Sequence, residues 1–234
     1  MPVAVITGAS AGLGRALSLA LARRGWSLVI DARGADRLRA VAEELSELTE
    51  VAAIPGDVVL PDHRGQLARA VADHGRLDLL VNNASTLGPT PLHVLVDLEP
   101  ADLSEILRID AIAPLALIQL LLPAVTASDG LIVNISSDAA VSAYQGWGGY
   151  GAAKAALDHL TGTLAAENPA TRFYAVDPGD MRTAMHQAAF PGEDISDRPE
   201  PESVVPSLLR LIDLRPPSGR YRAAEFVQPR GIAS

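Results

Sequence analysis

Tyr150 and Lys154 are the residues of this chain whose types and spacing point first to chemistry. Lys154 is the only lysine among nineteen Lys and Arg residues. An ammonium is a compact point charge with three donors, while a guanidinium is a wide planar fork, so a chain that otherwise writes arginine has a use for an ammonium here. Tyr150 lies four residues earlier, which on a helix puts both side chains on one face. A nearby positive charge favours the phenolate and lowers a tyrosine pKa from its usual value of about 10. The phenol would then give or take a proton near neutral pH. Taken alone, Tyr-x-x-x-Lys fits a lysine on an exposed helix face equally well, and the rest of the chain decides.

The elements around this pair alternate strictly. Apolar strand-like runs at Val3 to Thr7, Ser27 to Asp31, Val51 to Ile54, Leu77 to Asn82, Leu131 to Ile135 and Arg172 to Val176 are separated by helical patterns. The helices are expected at Leu13 to Arg24, Ala35 to Leu48, Asp62 to His74, Ala101 to Leu122 and Tyr150 to Glu167, with a further one at Glu202 to Ile212 and a last strand at Tyr221 to Val227. Short, continuous apolar strands imply a sheet covered on both faces. Strand–helix alternation implies parallel strands. The expected fold is therefore α/β: one Rossmann-type, doubly wound parallel sheet of about seven strands over 1–234. The polar, acidic, proline-rich segment from Phe190 to Pro201 reads as a mobile loop, part of a substrate loop at about 183–201.

Composition narrows the partners. Net charge is −9, which argues against nucleic acid, since phosphate binding needs clustered cations. No cysteine is present, which removes disulfides, thiolate metal sites and cysteine nucleophiles. The five histidines are scattered without metal-ligand spacing, so no metal site is expected. The longest apolar stretch, Ala111 to Val125, is broken by Pro114, Gln119 and Pro123 and is short for a bilayer. No basic segment precedes an apolar one at the N-terminus, so a cytoplasmic protein that spans no membrane is the expectation.

The first strand runs into Thr7-Gly8-Ala9-Ser10-Ala11-Gly12-Leu13-Gly14 and then a helix. Glycines let the backbone turn tightly and approach a pyrophosphate, and the helix start offers unpaired N–H groups. At the end of the second strand stand Asp31, which would bind ribose hydroxyls, and Arg33, which would accommodate a 2′-phosphate. Asp57, before Val58, would either meet the adenine amino group or cap a turn.

These residues together resemble the classical short-chain dehydrogenase/reductase family, in order and spacing, from Val3 to about Thr183. The family's T-G-x-x-x-G-x-G is Thr7 to Gly14; its N-N-A-G is Asn82-Asn83-Ala84-Ser85; its catalytic serine is Ser137; its Y-x-x-x-K is Tyr150 and Lys154; its P-G-x-x-x-T is Pro178-Gly179-Asp180-Met181-Arg182-Thr183. The resemblance implies a dinucleotide held by Gly8, Ser10, Ala11, Gly12, Leu13, Gly14, Arg33, Asp57, Val58, Asn83, Ala84, Tyr150, Lys154, Pro178, Gly179, Met181 and Thr183. The position that carries Asp in NAD-preferring members is Ala32 and the next is Arg33, while Asp31 falls one residue early and is expected to point elsewhere, so NADP(H) is expected over NAD(H). Ser137, Tyr150 and Lys154 would reduce a carbonyl to an alcohol. Two positions depart from the family: Ser85 replaces a glycine, and Asp110 replaces the helix-borne asparagine of a water relay. Asp110 would add a negative charge near Lys154, partly offset its effect on Tyr150 and retune the relay. A Gly-Trp before the catalytic tyrosine resembles the sepiapterin and benzil reductase branch, which implies a 1,2-diketone-like substrate lined by Ser85, Tyr144, Trp147, Met181, Met185 and His186. The family also implies a homodimer or homotetramer. The two departures keep open another reading, a dinucleotide-binding sensor or scaffold with vestigial chemistry.

Overall fold

The computed structural model describes residues 1–227, and 228–234, the end of the expected single domain, lie outside the described residues. Seven strands form one sheet: β1 Val3–Ile6, β2 Ser27–Ala32, β3 Val51–Pro55, β4 Leu79–Asn82, β5 Leu131–Ile135, β6 Arg172–Asp177 and β7 Gly219–Arg222. Their order is β3-β2-β1-β4-β5-β6-β7 and every pairing is parallel. The strand order reverses between β1 and β4, which opens a crevice beyond their carboxyl ends.

Period-two alternation explains the two-sided core. Ala4, Ile6, Leu28, Ile30, Leu79, Val81, Leu131 and Val133 face one way, against α1 (Gly12–Arg23), α2 (Ala35–Ser46) and α8 (Pro201–Leu214). Val3, Val5, Val29, Leu80, Ile132 and Phe173 face the other, against α3 (Pro61–His74) and α5 (Ala113–Ala127). Both strand faces must be apolar for this, hence the continuous runs in the sequence.

Two elements differ from expectation. The long helix is not regular: α4 (Pro100–Leu107) and α5 are joined through a π-helical turn, Arg108–Ile112. The Ala113 amide bonds the Arg108 carbonyl, one residue further back than in an α-helix. Pro114 has no N–H to direct at the carbonyl of Asp110, four residues before it, so a regular ladder is broken where Asp110 sits. The whole span from Pro100 to Ala127 is, by length and composition, apolar enough to cross a membrane, and half of its most apolar window is buried. Leu117, Leu121 and Val125 pack against the sheet, as in a core helix. The last strand is also displaced. It is Gly219–Arg222, and Ala223–Phe226 is a 3-10 turn. Its partly exposed residues and charges mark an edge strand, which carries little of the apolar signal of a central one.

Candidate active site

A cleft of about 920 Å³ lies beyond the carboxyl ends of the strands and runs from Arg33 to Phe190. Every residue expected to bind dinucleotide, substrate or proton lines it, except Gly14 and Asp110, which sit behind its wall.

The glycine-rich turn forms the floor. Gly8 has φ +68°, and a Cβ there would meet the Ala84 Cα at 2.9 Å. Gly14 presses on the Gly8 carbonyl so closely that a Cβ would stand 2.5 Å from it. Ala11, before α1, caps no amide with its side chain, leaving the first N–H groups of the helix open. The Asn82-Asn83-Ala84-Ser85 motif braces this turn from behind. Asn83 donates its side-chain amide to the Thr7 carbonyl at 2.8 Å, and the Thr7 hydroxyl accepts from the Asn83 and Ala84 amides, both at 3.0 Å. The Asn83 side chain therefore shapes the cradle rather than facing into it.

Asp31 is not a ribose ligand. It is 2 % exposed, accepts from the Gly8 amide at 3.0 Å and pairs with His63 Nε2 at 2.9 Å. Its carboxyl is pushed above the usual range by burial, with His63 and the Gly8 amide pulling the other way. Arg33 is left at the cleft, joined by Gly34 and Arg37. Gly34 opens α2 without a side-chain cap, so two guanidinium groups and free amides converge there. Arg37 stands in the first turn of α2, four residues after Arg33, and sequence reasoning missed it. Asp57 accepts from the Val59 amide at 3.1 Å, the turn-capping alternative, while also lining the cleft beside Val58. A cradle that side chains would fill, an uncapped helix start and paired guanidinium groups all fit a dinucleotide phosphate carrying a 2′-phosphate.

Three elements bring the reactive residues together. Ser137 follows β5, and Tyr150 and Lys154 lie on successive turns of α6 (Gly148–Glu167). In this structure Ser137 does cap: its hydroxyl accepts from the Ala139 amide at 3.1 Å and donates to Asp138 at 3.0 Å. Arg220 of β7 donates to the Ser137 carbonyl and to Asp158 of α6, both at 2.8 Å, so it locks the serine loop to the tyrosine helix. Lys154 is 2 % exposed, which removes the surface-lysine alternative. Its ammonium donates to the Ile135 carbonyl at 2.9 Å, stands 3.7 Å from Asp110 and lies 5.4 Å from the Tyr150 ring centre.

The expected acidification of Tyr150 is not what this arrangement gives. Its phenol is pushed well above the ordinary tyrosine value, first by burial and then by the Asp110 charge; the Ser137 and Ser85 hydroxyls pull it down. Lys154 is partly compensated by Asp110, as the sequence suggested. A raised pKa favours the protonated phenol, the form that can act as an acid. Asp110 is wholly buried, and its carboxyl is raised by desolvation against the opposing pull of Lys154, Ser85 and Thr86.

The far end of the cleft is aromatic. Trp147 meets Tyr150 edge-on at 5.7 Å and Phe190 at 6.0 Å, and Phe190 packs on His186 at 5.0 Å. Phe190 is a wall residue that sequence reasoning left in the loop. The segment expected as a loop contains α7 (Ala184–Ala189), capped by the Thr183 hydroxyl accepting from the His186 amide at 3.1 Å. Gln187 ties it to the Phe190 and Glu193 carbonyls. Met181 packs partly on the core, Met185 lines the cleft, and Tyr144 donates to Asp138 at 2.8 Å from an exposed position. Among the described residues, His186 Nε2 is buried without a hydrogen-bond partner.

Comparison with known proteins agrees with this geometry. Residues 2–194 match the family model described as short chain dehydrogenase. The chain is 31 % identical to the uncharacterized oxidoreductase YciK of Escherichia coli K12, covering 99 % of this chain and 94 % of that one. It is 37 % identical to sepiapterin reductase of Meriones unguiculatus, covering 80 % and 77 %. Among solved structures, a protein of Shigella flexneri 2a strain 301 assigned to the short chain dehydrogenases and complexed with NADP superposes with TM-score 0.89 at 30 % identity, over 95 % of this chain and 97 % of that one.

Proposed function

The chain belongs to the short-chain dehydrogenase family of oxidoreductases, and from that premise we propose that it reduces a ketone or aldehyde, of 1,2-diketone type, to an alcohol with NADP(H). The observation that carries this reading is that Ser137, Tyr150 and Lys154 come together on one wall of the cleft at the sheet's switch point, with Lys154 5.4 Å from the Tyr150 ring centre. The bound nicotinamide would supply hydride. Ser137 would exchange its bond to Asp138 for one to the carbonyl oxygen. Tyr150 would protonate that oxygen as negative charge develops on it. Lys154, fixed by the Ile135 carbonyl, would hold positive charge near the phenolate left behind. Trp147, Phe190 and Met185 give an apolar seat, and the unpartnered Nε2 of His186 offers one polar contact to a second substrate oxygen.

The test is loss of NADPH absorbance with a panel of diketones and quinones, repeated with the tyrosine replaced. Tight NADPH binding without turnover on any carbonyl would favour the sensor reading instead. Cofactor preference follows from Arg33 and Arg37. Replacing Arg33 with Ala removes a charge-assisted contact worth about 1.5–3 kcal/mol, so KM for NADPH is expected to rise roughly ten- to a hundredfold while KM for NADH stays within about twofold. Equal losses with both cofactors would remove the 2′-phosphate assignment. A homo-oligomer built on α5 and α6 belongs to the same reading; Ile112, at the end of the π-helical turn, and Leu120 of α5 are exposed apolar side chains. Light scattering is expected to give a dimer or tetramer, and a monomer would refute it.

A further inference from the structure

One side chain on the edge strand reaches three of the elements that build the site. Tyr221 of β7 turns toward Tyr174, with ring centres 5.9 Å apart. Period-two alternation then points Arg220 and Arg222 to the opposite face of the sheet, where α6 lies. There Arg220 Nε donates to Asp158 Oδ2 and its Nη2 donates to the Ser137 carbonyl, both at 2.8 Å. The same Nη2 stands 3.8 Å from Asp177 Oδ2. Asp158 follows Lys154 by four residues, as Lys154 follows Tyr150, so all three line one stripe of α6. Asp177 ends β6, and its Oδ1 accepts from the Gly179 amide at 2.9 Å in the Pro178-Gly179 turn that lines the cleft. We propose that Arg220 is a positioning residue for the reaction, its guanidinium fixing Ser137, the Tyr150 helix and the Pro178-Gly179 turn relative to one another. This rests on the carbonyl-reductase reading and deepens it.

The substrate oxygen must be met by the Ser137 hydroxyl and the Tyr150 phenol at once, and these groups come from different elements. The Ser137 hydroxyl has to turn from Asp138 to the substrate, so its place is set by the backbone behind it. That backbone carbonyl accepts from the Ala140 amide at 3.1 Å within its own turn, and Arg220 ties it to another element. A guanidinium suits the task because its planar fork meets two acceptors in fixed directions, which a point-charge ammonium does not. Asp158 depends on the same contact: among the described residues its Oδ1 is buried without a partner, and its Oδ2 is held by Arg220. Asp177 has a second cation in reach, Arg222 at 4.0 Å, but that side chain is 67 % exposed against 27 % for Arg220. The inner arginine is therefore the one whose position is fixed, and it bonds the serine turn and the tyrosine helix directly. An edge strand with little apolar surface reaches the reacting groups through this one side chain.

Two measurements test this, and the first needs no turnover. Amide hydrogen exchange is compared between wild type and Arg220→Met, and again with Asp158→Asn added, which removes the buried charge that the arginine leaves behind. In both variants the Ala139 and Ala140 amides of the serine turn and the Gly179 amide should exchange roughly tenfold faster or more. The Ala9 amide, bonded to the Asp31 carbonyl in the phosphate turn, should keep its rate. Unchanged exchange at the serine turn, or equal acceleration at Ala9, would overturn the proposal. The second measurement uses an accepted diketone. Arg220→Met should lower kcat roughly ten- to a hundredfold, with KM for NADPH within about threefold because Arg33 and the phosphate turn are untouched. Arg220→Lys should recover Tm but only part of kcat, since an ammonium does not span both acceptors. Full recovery of kcat by lysine, or a wild-type kcat in Arg220→Met, would overturn the proposal. Absence of turnover in wild type would instead strike at the carbonyl-reductase reading, and the exchange rates would still decide whether Arg220 holds the serine turn.

Discussion

Replacing Tyr150 with Phe is expected to lower kcat for carbonyl reduction by about 10²–10⁴-fold, with NADPH affinity changed little. The substitution removes the phenol oxygen and its proton, while the ring remains to pack on Trp147. A loss that fell on KM for NADPH instead would show that Tyr150 serves binding rather than proton transfer. The pH dependence has a defined sign. In the proposed reaction the phenol must be protonated, so rate is expected to be lost as pH rises through the phenol's pKa. Burial and the Asp110 charge raise that pKa above the ordinary 10.0, which puts the basic limb of kcat/KM above the usual tyrosine range. Asp110→Asn removes one of the raising charges, and the limb should move to lower pH. A pH–rate profile in both proteins reads this directly, and a limb that stays in place would mean that the carboxylate does not act on the phenol.

Much of this site was legible because its motifs are local. Thr7 to Gly14, Ser137 and Pro178 to Thr183 each follow the carboxyl end of an apolar run, a parallel sheet brings all such ends to one edge, and Tyr150 and Lys154 stand on the helix that follows Ser137. What stayed hidden depends on pairs distant in sequence or on a backbone irregularity. The bond between Ser85 and Asp110 spans 25 residues, and no periodicity announces it. The π-helical turn was masked because Leu103 to Leu122 keeps a helical apolar pattern on either side, and Pro114 reads equally as the first turn of a new helix. Tyr150 was misjudged in sign for a different reason. The Lys154 charge is visible in sequence, whereas desolvation is a property of the packed cleft. Arg37 had a signal, its place in the first turn of the helix that follows Arg33. Phe190 had none, since its ring reaches the cleft only after α7 folds back through Gln187.

His63 belongs with the hidden partners, and its replacement carries the largest expected stability effect. The histidine of α3 and the Asp31 carboxyl of β2 are both almost fully enclosed, with side chains 5 % and 2 % exposed. Asp31 also holds the Gly8 amide, so the pair ties α3 to the phosphate turn. His63→Leu leaves a buried carboxylate without its partner, which should cost about 3–5 kcal/mol and lower Tm by on the order of 10 °C for a chain of this size. The sign with pH follows from Asp31. Its folded pKa lies above the unfolded value of 3.8, so the folded state binds the proton more tightly than the unfolded one. The stabilising effect of protonation is therefore complete below that value and lost as pH rises through the folded pKa. With His63 gone the carboxyl loses a group that lowers it, and the penalty is fullest at neutral pH. Adding Asp31→Asn removes the charge and should recover part of the lost Tm at pH 7. The gap between the single and the double variant should close as pH falls, because the carboxyl then becomes neutral in both senses that matter, uncharged and able to accept from Gly8. Thermal melts of the two variants across the acid range measure that gap. A constant gap, or a His63→Leu protein as stable as wild type, would mean that water reaches Asp31 and that the histidine is packing rather than partner.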